Sequence, residues 1–252
     1  MLAEILEGLE RAEFHLVYQP QMLADGSRVA CVEALLRWNS PIRGPVGPAD
    51  FVAVAEQNGA IRQLGAFVLR RACQDAAPWD SVSVAVNVSG NQLTDPGFVD
   101  LVIAAAADAG LPMARLELEL VESVLIENFE LVHGVLSRLR ALGVRIALDD
   151  FGAGYSSLTY LRKLPLDKLK IDKSFVDDLS SPVSAAIIQA IVALAKALGL
   201  KTTAEGVETE AQRLFLRVAG CELLQGYLFS RPIPPDAMAE MLRRVQVERR
   251  AG

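Results

Sequence analysis

The sequence predicts a TIM-like (β/α)8 barrel, an α/β fold, with one antiparallel strand at its N-terminal end. Three observations carry this reading. Short apolar runs alternate with longer helix-periodic segments from about residue 80 onward, the rhythm of strand–helix units. The chain has 252 residues, a length that one barrel fills. The runs also have one apolar and one polar face each, whereas a parallel sheet covered by helices on both sides is apolar throughout. A barrel accounts for the alternation, because the apolar faces meet the helices and the polar faces converge inside. A doubly wound open sheet is the competing architecture.

The elements follow in order. The opening "MLAEILEGLERAEF" is acidic and helix-periodic. "FHLVYQPQ" and "RVACVEALLRW" read as two strands joined by a turn at Asp25-Gly26. "PADFVAVAEQNGAIRQLGAFVLRRACQDAA" reads as helix, broken near Gly59. The strands "SVSVAVNVS", "RLELELVES", "VRIALDD", "LDKLKID", "KTTAEGV" and "CELLQGYLFS" then follow, separated by five helical segments. Four of those five segments end at a Gly suited to a C-terminal cap. The end, "RRVQVERRAG", reads as a charged tail. Within the strands, Leu116, Leu118 and Leu120 oppose Glu117 and Glu119, Val144, Ile146 and Leu148 oppose Arg145 and Asp149, and Leu169 and Ile171 oppose Lys168, Lys170 and Asp172. Arg145 and Lys168 near Glu117 are expected to offset one another's burial cost.

Composition excludes several classes. Hydrophobic residues make up 52%, enough for a substantial core. A net charge of −6 and a pI near 5.1 argue against polymeric nucleic acid or a membrane surface as partner. An anionic ligand would need something else to hold it, and a divalent cation is the obvious candidate. Cys31, Cys73 and Cys221 are far apart and lack CxxC spacing, which suits small buried residues in a reducing cytoplasm. No basic-then-apolar leader and no membrane-spanning run of roughly 18 residues is visible. The expectation is a single cytoplasmic domain over residues 1–252, whose ends are compatible with excision from a longer signalling protein.

Barrel enzymes place their chemistry at the C-terminal ends of the strands. Those ends carry Glu33, Asn87, Glu119, Asp149 with Asp150, Lys170, Glu205 and Gln225. From Asn87 the spacings are 32, 30, 21, 35 and 20 residues, close to one strand–helix unit apiece. The donors are oxygens, without His, and that favours Mg²⁺ or Mn²⁺ over zinc. Two adjacent aspartates can share two cations, which removes their mutual repulsion.

These residues sit in the motifs "YQP" at Tyr18, "EALLRW" at Glu33, "NVSGNQL" at Asn87, "ELVES" at Glu119, "DDFGAGYSSL" at Asp149, "LPLDKLKIDKSFV" at Leu164, "AEGVET" at Ala204 and "QGYLFSRPIP" at Gln225. Together they resemble the EAL domain, the cyclic di-GMP phosphodiesterase family. The resemblance covers essentially the whole chain. It implies a metal-dependent hydrolysis of cyclic di-GMP to linear pGpG, with two Mg²⁺ or Mn²⁺ ions and inhibition by Ca²⁺, often in a homodimer. By position it implies that Glu33, Asn87, Glu119 and Asp149 hold one ion, and that Asp149 and Asp150, with Glu205 nearby, serve the second. It gives Lys170 a contact to the hydrolytic water or the phosphate, and Gln225 a supporting role in the metal–water network and in substrate binding. Gln19, Leu36 and Arg37 are implied substrate contacts. Glu122 is implied to hold the loop after Asp150, and Glu208 is a supporting partner.

Each assignment has a plainer rival. Lys170 also reads as a buried partner of Asp172 or Glu117. Glu208 also reads as a first-turn acid of the following helix, and Trp38 as packing. "NVS" at Asn87 matches a glycosylation sequon, irrelevant without a secretory signal. His15 and His133 are isolated, which excludes the phosphodiesterase type built on His-Asp pairs. A receptor that binds cyclic di-GMP without cleaving it is the alternative function. The family usually has Thr where this chain has Ala153, and activity is expected to survive the change. Leu158, Tyr160 and Leu161 are the local support for dimerisation.

Overall fold

The alternating strands close into a barrel. The computed structural model describes residues 1–80, 82–121, 128–152 and 158–251, without the side chains of 158–160 and 246–251. Its strands are β1 (Phe14–Leu23), β2 (Val29–Ser40), β3 (Gly44–Val46), β4 (Ser83–Asn87), β5 (Leu116–Val121), β6 (Arg145–Phe151), β7 (Lys168–Ile171), β8 (Lys201–Ala204) and β9 (Leu223–Gln225). The order β1-β9-β8-β7-β6-β5-β4-β2 is sealed by β1–β2 pairing, and β3 adds a hairpin to β2. β1 is antiparallel to both neighbours, while β2 and β4 to β9 pair in parallel. The (β/α)8 barrel with one antiparallel strand is therefore the fold, and the open sheet is not.

The helices are α1 (Leu2–Glu10), α2 (Pro48–Gln57), α3 (Ile61–Ala76), α4 (Gly90–Leu93), α5 (Phe98–Ala109), α6 (Phe129–Ala141), α7 (Leu158–Lys163), α8 (Lys173–Asp177), α9 (Pro182–Ala197), α10 (Glu210–Ala219) and α11 (Pro235–Ala251). α2 and α3 break at Gly59, where φ is +77°. Gly110, Gly143, Gly199 and Gly220, which follow four helices, all have positive φ, the backbone that ends a helix at little steric cost. α11 corrects the reading of the C-terminus as a bare charged tail. It starts at a Pro and runs through the charged stretch, and Met238 and Leu242, four residues apart just before that stretch, are buried and anchor it on the barrel.

Burial follows the strand parity. Leu116, Leu118 and Leu120 lie in the main core between barrel and helices, while Glu117 and Glu119 are buried inside. Lys168 and Glu117 pair at 2.5 Å within the barrel. Arg145 does not join them: it is exposed at the start of β6 and donates to Ser83 Oγ at 3.3 Å. A second core at the N-terminal end packs Ile5, Phe14, Trp38 and Phe51. Trp38 stacks on Phe14 and donates Nε1–H to Glu13, so it is a packing residue. All three cysteines are buried and free. Leu161 is buried in the main core and offers no surface to a second copy; the side chains of Leu158 and Tyr160 lie outside the described set, as do Glu122 and Ala153. Among the described residues, no helix is long and apolar enough to cross a membrane.

Candidate active site

At the C-terminal rim of the barrel, five carboxylates from β2, β5, β6 and the end of β8 converge around one ammonium. Oxygens of Glu33, Glu119 and Asp149 lie within 4.8 Å of one another, and so do those of Asp149, Asp150 and Glu205. The two groups share Asp149. Lys170 Nζ sits among them, 2.6 Å from Glu205, 2.8 Å from Glu119, 2.9 Å from Asp149 and 3.8 Å from Glu33. Glu117 is paired with Lys168 instead, and Asp172 caps α8 by accepting from Ser174 N–H, so neither is the partner of Lys170.

Local backbone explains how adjacent aspartates reach one place. Consecutive strand residues face opposite sides, which would send Asp150 out among the helices. Instead Asp150 has φ +53°, and the β6–β7 register shifts between Leu148 and Phe151. This irregularity turns Asp150 back toward Asp149, whose Oδ1 accepts from the Asp150 N–H at 2.9 Å. A non-Gly residue in this conformation costs about 1–3 kcal/mol and is characteristic of functional sites. Glu33 reaches the rim from the body of β2, because that strand runs on beyond it to Ser40.

Neutral amides frame the acids. Asn87, exposed at the end of β4, donates to Glu33 Oε1 at 2.7 Å, and Gln225 donates to Glu33 Oε2 at 2.6 Å and to Gln19 Oε1 at 3.1 Å. Gln225 Oε1 is buried without a hydrogen-bond partner among the described residues. Gln21, which no motif singled out, is fully buried. It donates to Glu119 Oε1 at 3.1 Å and accepts from Lys168 at 2.9 Å. Its signal in the sequence was parity with Gln19 on β1. His15 is exposed and His133 lies against Phe129; neither belongs to the acidic groups.

A cavity of about 270 Å³ opens over the cluster, lined in part by Gln19, Glu33, Asp149, Glu205, Glu208 and Lys173. Leu36 and Arg37 lie elsewhere, in a second cavity of about 270 Å³ that also touches Asn87 and Glu119. Glu208 is not the first-turn acid of α10, which is Glu210 behind the cap made by Thr209 with Gln212; it stands at the cavity wall 3.6 Å from Lys173.

The electrostatics show a surplus of negative charge. Burial, with repulsion from Glu33 and Asp149, pushes Glu119 well above the usual carboxylate range despite Lys170. Burial likewise raises Glu205 to about 8, again against the pull of Lys170. Asp150 is raised by burial and by Asp149 and Asp172. Burial opposes the charge on Glu33 too, yet Lys170, Gln225 and Asn87 together hold that carboxyl below its ordinary value. Burial disfavours the Lys170 ammonium, but the surrounding carboxylates outweigh it and hold its pKa well above normal. One ammonium does not neutralise five carboxylates. The all-oxygen donor set, the two groupings around Asp149 and the leftover acceptor of Gln225 fit hard divalent cations.

A pH dependence follows. Glu205 keeps its proton in the native protein up to about pH 8, whereas the unfolded chain ionises it near 4.5. Glu119 acts in the same direction. Native stability from these groups is therefore intact below the unfolded value and lost as pH rises toward the folded one. A divalent cation binds the ionised forms and displaces those protons. In chelator, the protein should lose melting temperature between about pH 5 and about pH 8 from this source, and the upward shift caused by Mg²⁺ should be larger at the higher pH. Thermal melts with and without Mg²⁺ check this; equal shifts at both pH values would contradict it.

The chain is similar to known proteins over nearly its whole length. The chain is 48% identical over 250 residues to "Cyclic di-GMP phosphodiesterase NbdA" of Pseudomonas aeruginosa, covering 96% of this chain and 32% of that protein. It is 47% identical over 237 residues to an "Uncharacterized signaling protein" of Caulobacter vibrioides, covering 93% of this chain and 29% of that protein. The chain thus spans about a third of the length of these curated relatives. Among solved structures, "PaMucR Phosphodiesterase, c-di-GMP complex" superposes with a TM-score of 0.90 at 43% identity, covering 94% of this chain and 98% of that one. The sequence model of the EAL domain matches residues 2–232, and the chain belongs to the EAL domain family.

Proposed function

We propose that this chain hydrolyses one phosphodiester bond of cyclic di-GMP to linear pGpG and so lowers the level of a second messenger. The observation that carries the reading is the pair of carboxylate groups sharing Asp149 around Lys170. Relatives named as cyclic di-GMP phosphodiesterases and a related phosphodiesterase in complex with cyclic di-GMP support the substrate. The net charge of −6 argues against polymeric nucleic acid as the substrate.

In this reading Glu33, Asn87, Glu119 and Asp149 hold one Mg²⁺ or Mn²⁺, and Asp149, Asp150 and Glu205 serve a second. When bound, the cations would supply positive charge against the phosphate and acidify the attacking water. The reaction adds a water oxygen to one phosphorus and breaks its bond to the ribose O3′, which leaves a 5′-phosphate on the linear product. Lys170, held by three carboxylates within 2.9 Å, is the donor to the phosphate oxygen or the attacking water. Glu205 and Asp150 are the carboxylates placed to take the proton of that water. Gln225 fixes Glu33 by a hydrogen bond and also donates to Gln19, and Arg37 and Leu36 contact the substrate from the second cavity. Glu122 and a homodimer formed around the segment after Asp150 complete the proposal on family resemblance alone.

Incubation with cyclic di-GMP and Mg²⁺ or Mn²⁺, followed by chromatography, should show pGpG. Ca²⁺, which coordinates longer and more loosely than Mg²⁺, should support binding with little turnover. Tight binding in Mg²⁺ without any pGpG would replace this reading by a receptor.

A further inference from the structure

Resting on the phosphodiesterase reading, we infer that Lys173 binds the phosphate of cyclic di-GMP that is not cleaved. The substrate carries two phosphodiesters, each with a negative charge, and the acidic cluster with its cations takes one of them. The rest of the cavity wall is poorly suited to the other, since Glu205 and Glu208 stand there as well. Lys173 is the one cation among the described residues lining this cavity.

Its position is built in. Gly206, next to Glu205, has φ +70°, and a Cβ there would lie 2.4 Å from Lys173 Cγ and 2.9 Å from Cδ. The missing side chain lets the lysine stem lie against the backbone beside the acidic cluster. The ammonium is not locked. It stands 3.6 Å from Glu208 and 3.8 Å from Asp177, on a side chain that is 50% exposed. Such loose, exposed pairs hold a side chain weakly, so the ammonium can turn to an incoming phosphate. Lys170, by contrast, is 1% exposed and sits among the carboxylates around the phosphate that is cleaved.

The test is steady-state hydrolysis of cyclic di-GMP in Mg²⁺ by the wild-type protein, Lys173→Met and Lys173→Arg over a range of salt. Lys173→Met should raise KM roughly tenfold with kcat within about twofold, and should flatten the salt dependence of KM. Lys173→Arg should keep KM within about threefold, because it retains the charge. A KM for Lys173→Met within about twofold of wild type, or equal impairment of both variants, would overturn the assignment. Should the wild-type protein bind cyclic di-GMP in Ca²⁺ but never cleave it, the hydrolase reading fails while this one is still read from Kd, with the same roughly tenfold rise expected. Absence of any binding overturns both.

Discussion

Asp149→Asn should abolish turnover by roughly a thousandfold or more, about 4 kcal/mol of transition-state stabilisation at 1.36 kcal/mol per tenfold. Asp149 is the one carboxylate common to both acidic groups, so its neutralisation weakens both candidate cation positions at once. The substitution also removes a charged partner from Lys170 at 2.9 Å. Fold damage is not the expected cause. The amide oxygen can still accept from the Asp150 N–H, and the cluster has negative charge to spare. In chelator the variant should therefore melt at or above the wild-type temperature, and in Ca²⁺ it should still bind cyclic di-GMP. Turnover within tenfold of wild type, measured by pGpG formation at saturating Mg²⁺, would remove Asp149 from its assigned role.

Lys168→Met should cost about 3–5 kcal/mol of stability, because it leaves Glu117 buried and uncompensated. The two side chains are at most 4% exposed and meet at 2.5 Å inside the barrel. Replacing both, as Lys168→Met with Glu117→Met, removes the stranded charge and should recover much of that loss. The recovery is incomplete, since Gln21 Oε1 still loses its donor, a deficit of about 1–3 kcal/mol. Urea unfolding in chelator measures both. A double variant no more stable than the single one would show that the pair is not acting as a desolvated ion pair.

The same parity that exposed this pair made much of the site readable. Glu119, Asp149, Lys168 and Lys170 fall on polar strand faces by simple alternation, and the structure turns each of them inward. Alternation fails at Asp150. Only the left-handed backbone and the register shift before Phe151 bring it beside Asp149, and no residue pattern in "LDDFG" demands that geometry; adjacency and the family resemblance, not alternation, grouped the two. Arg145 fails in the other direction. It shares the inward parity of Asp149 but stands at the open start of β6, where a long side chain reaches solvent. Gln21 was missed because a single amide in an apolar strand looks incidental until Glu119 and Lys168 are seen on either side of it. Lys173 reads as a surface lysine because its neighbour in space, Gly206, is 33 positions away in sequence. The C-terminal helix was hidden by its charge, since only Met238 and Leu242 mark its buried stripe among the described side chains.

Anomalous scattering from crystals grown in Mn²⁺ tests the central claim most directly. Two peaks are predicted, one within reach of Glu33, Asn87, Glu119 and Asp149 and one within reach of Asp149, Asp150 and Glu205, with Asp149 between them. A single peak, or peaks that do not share Asp149, would contradict the account.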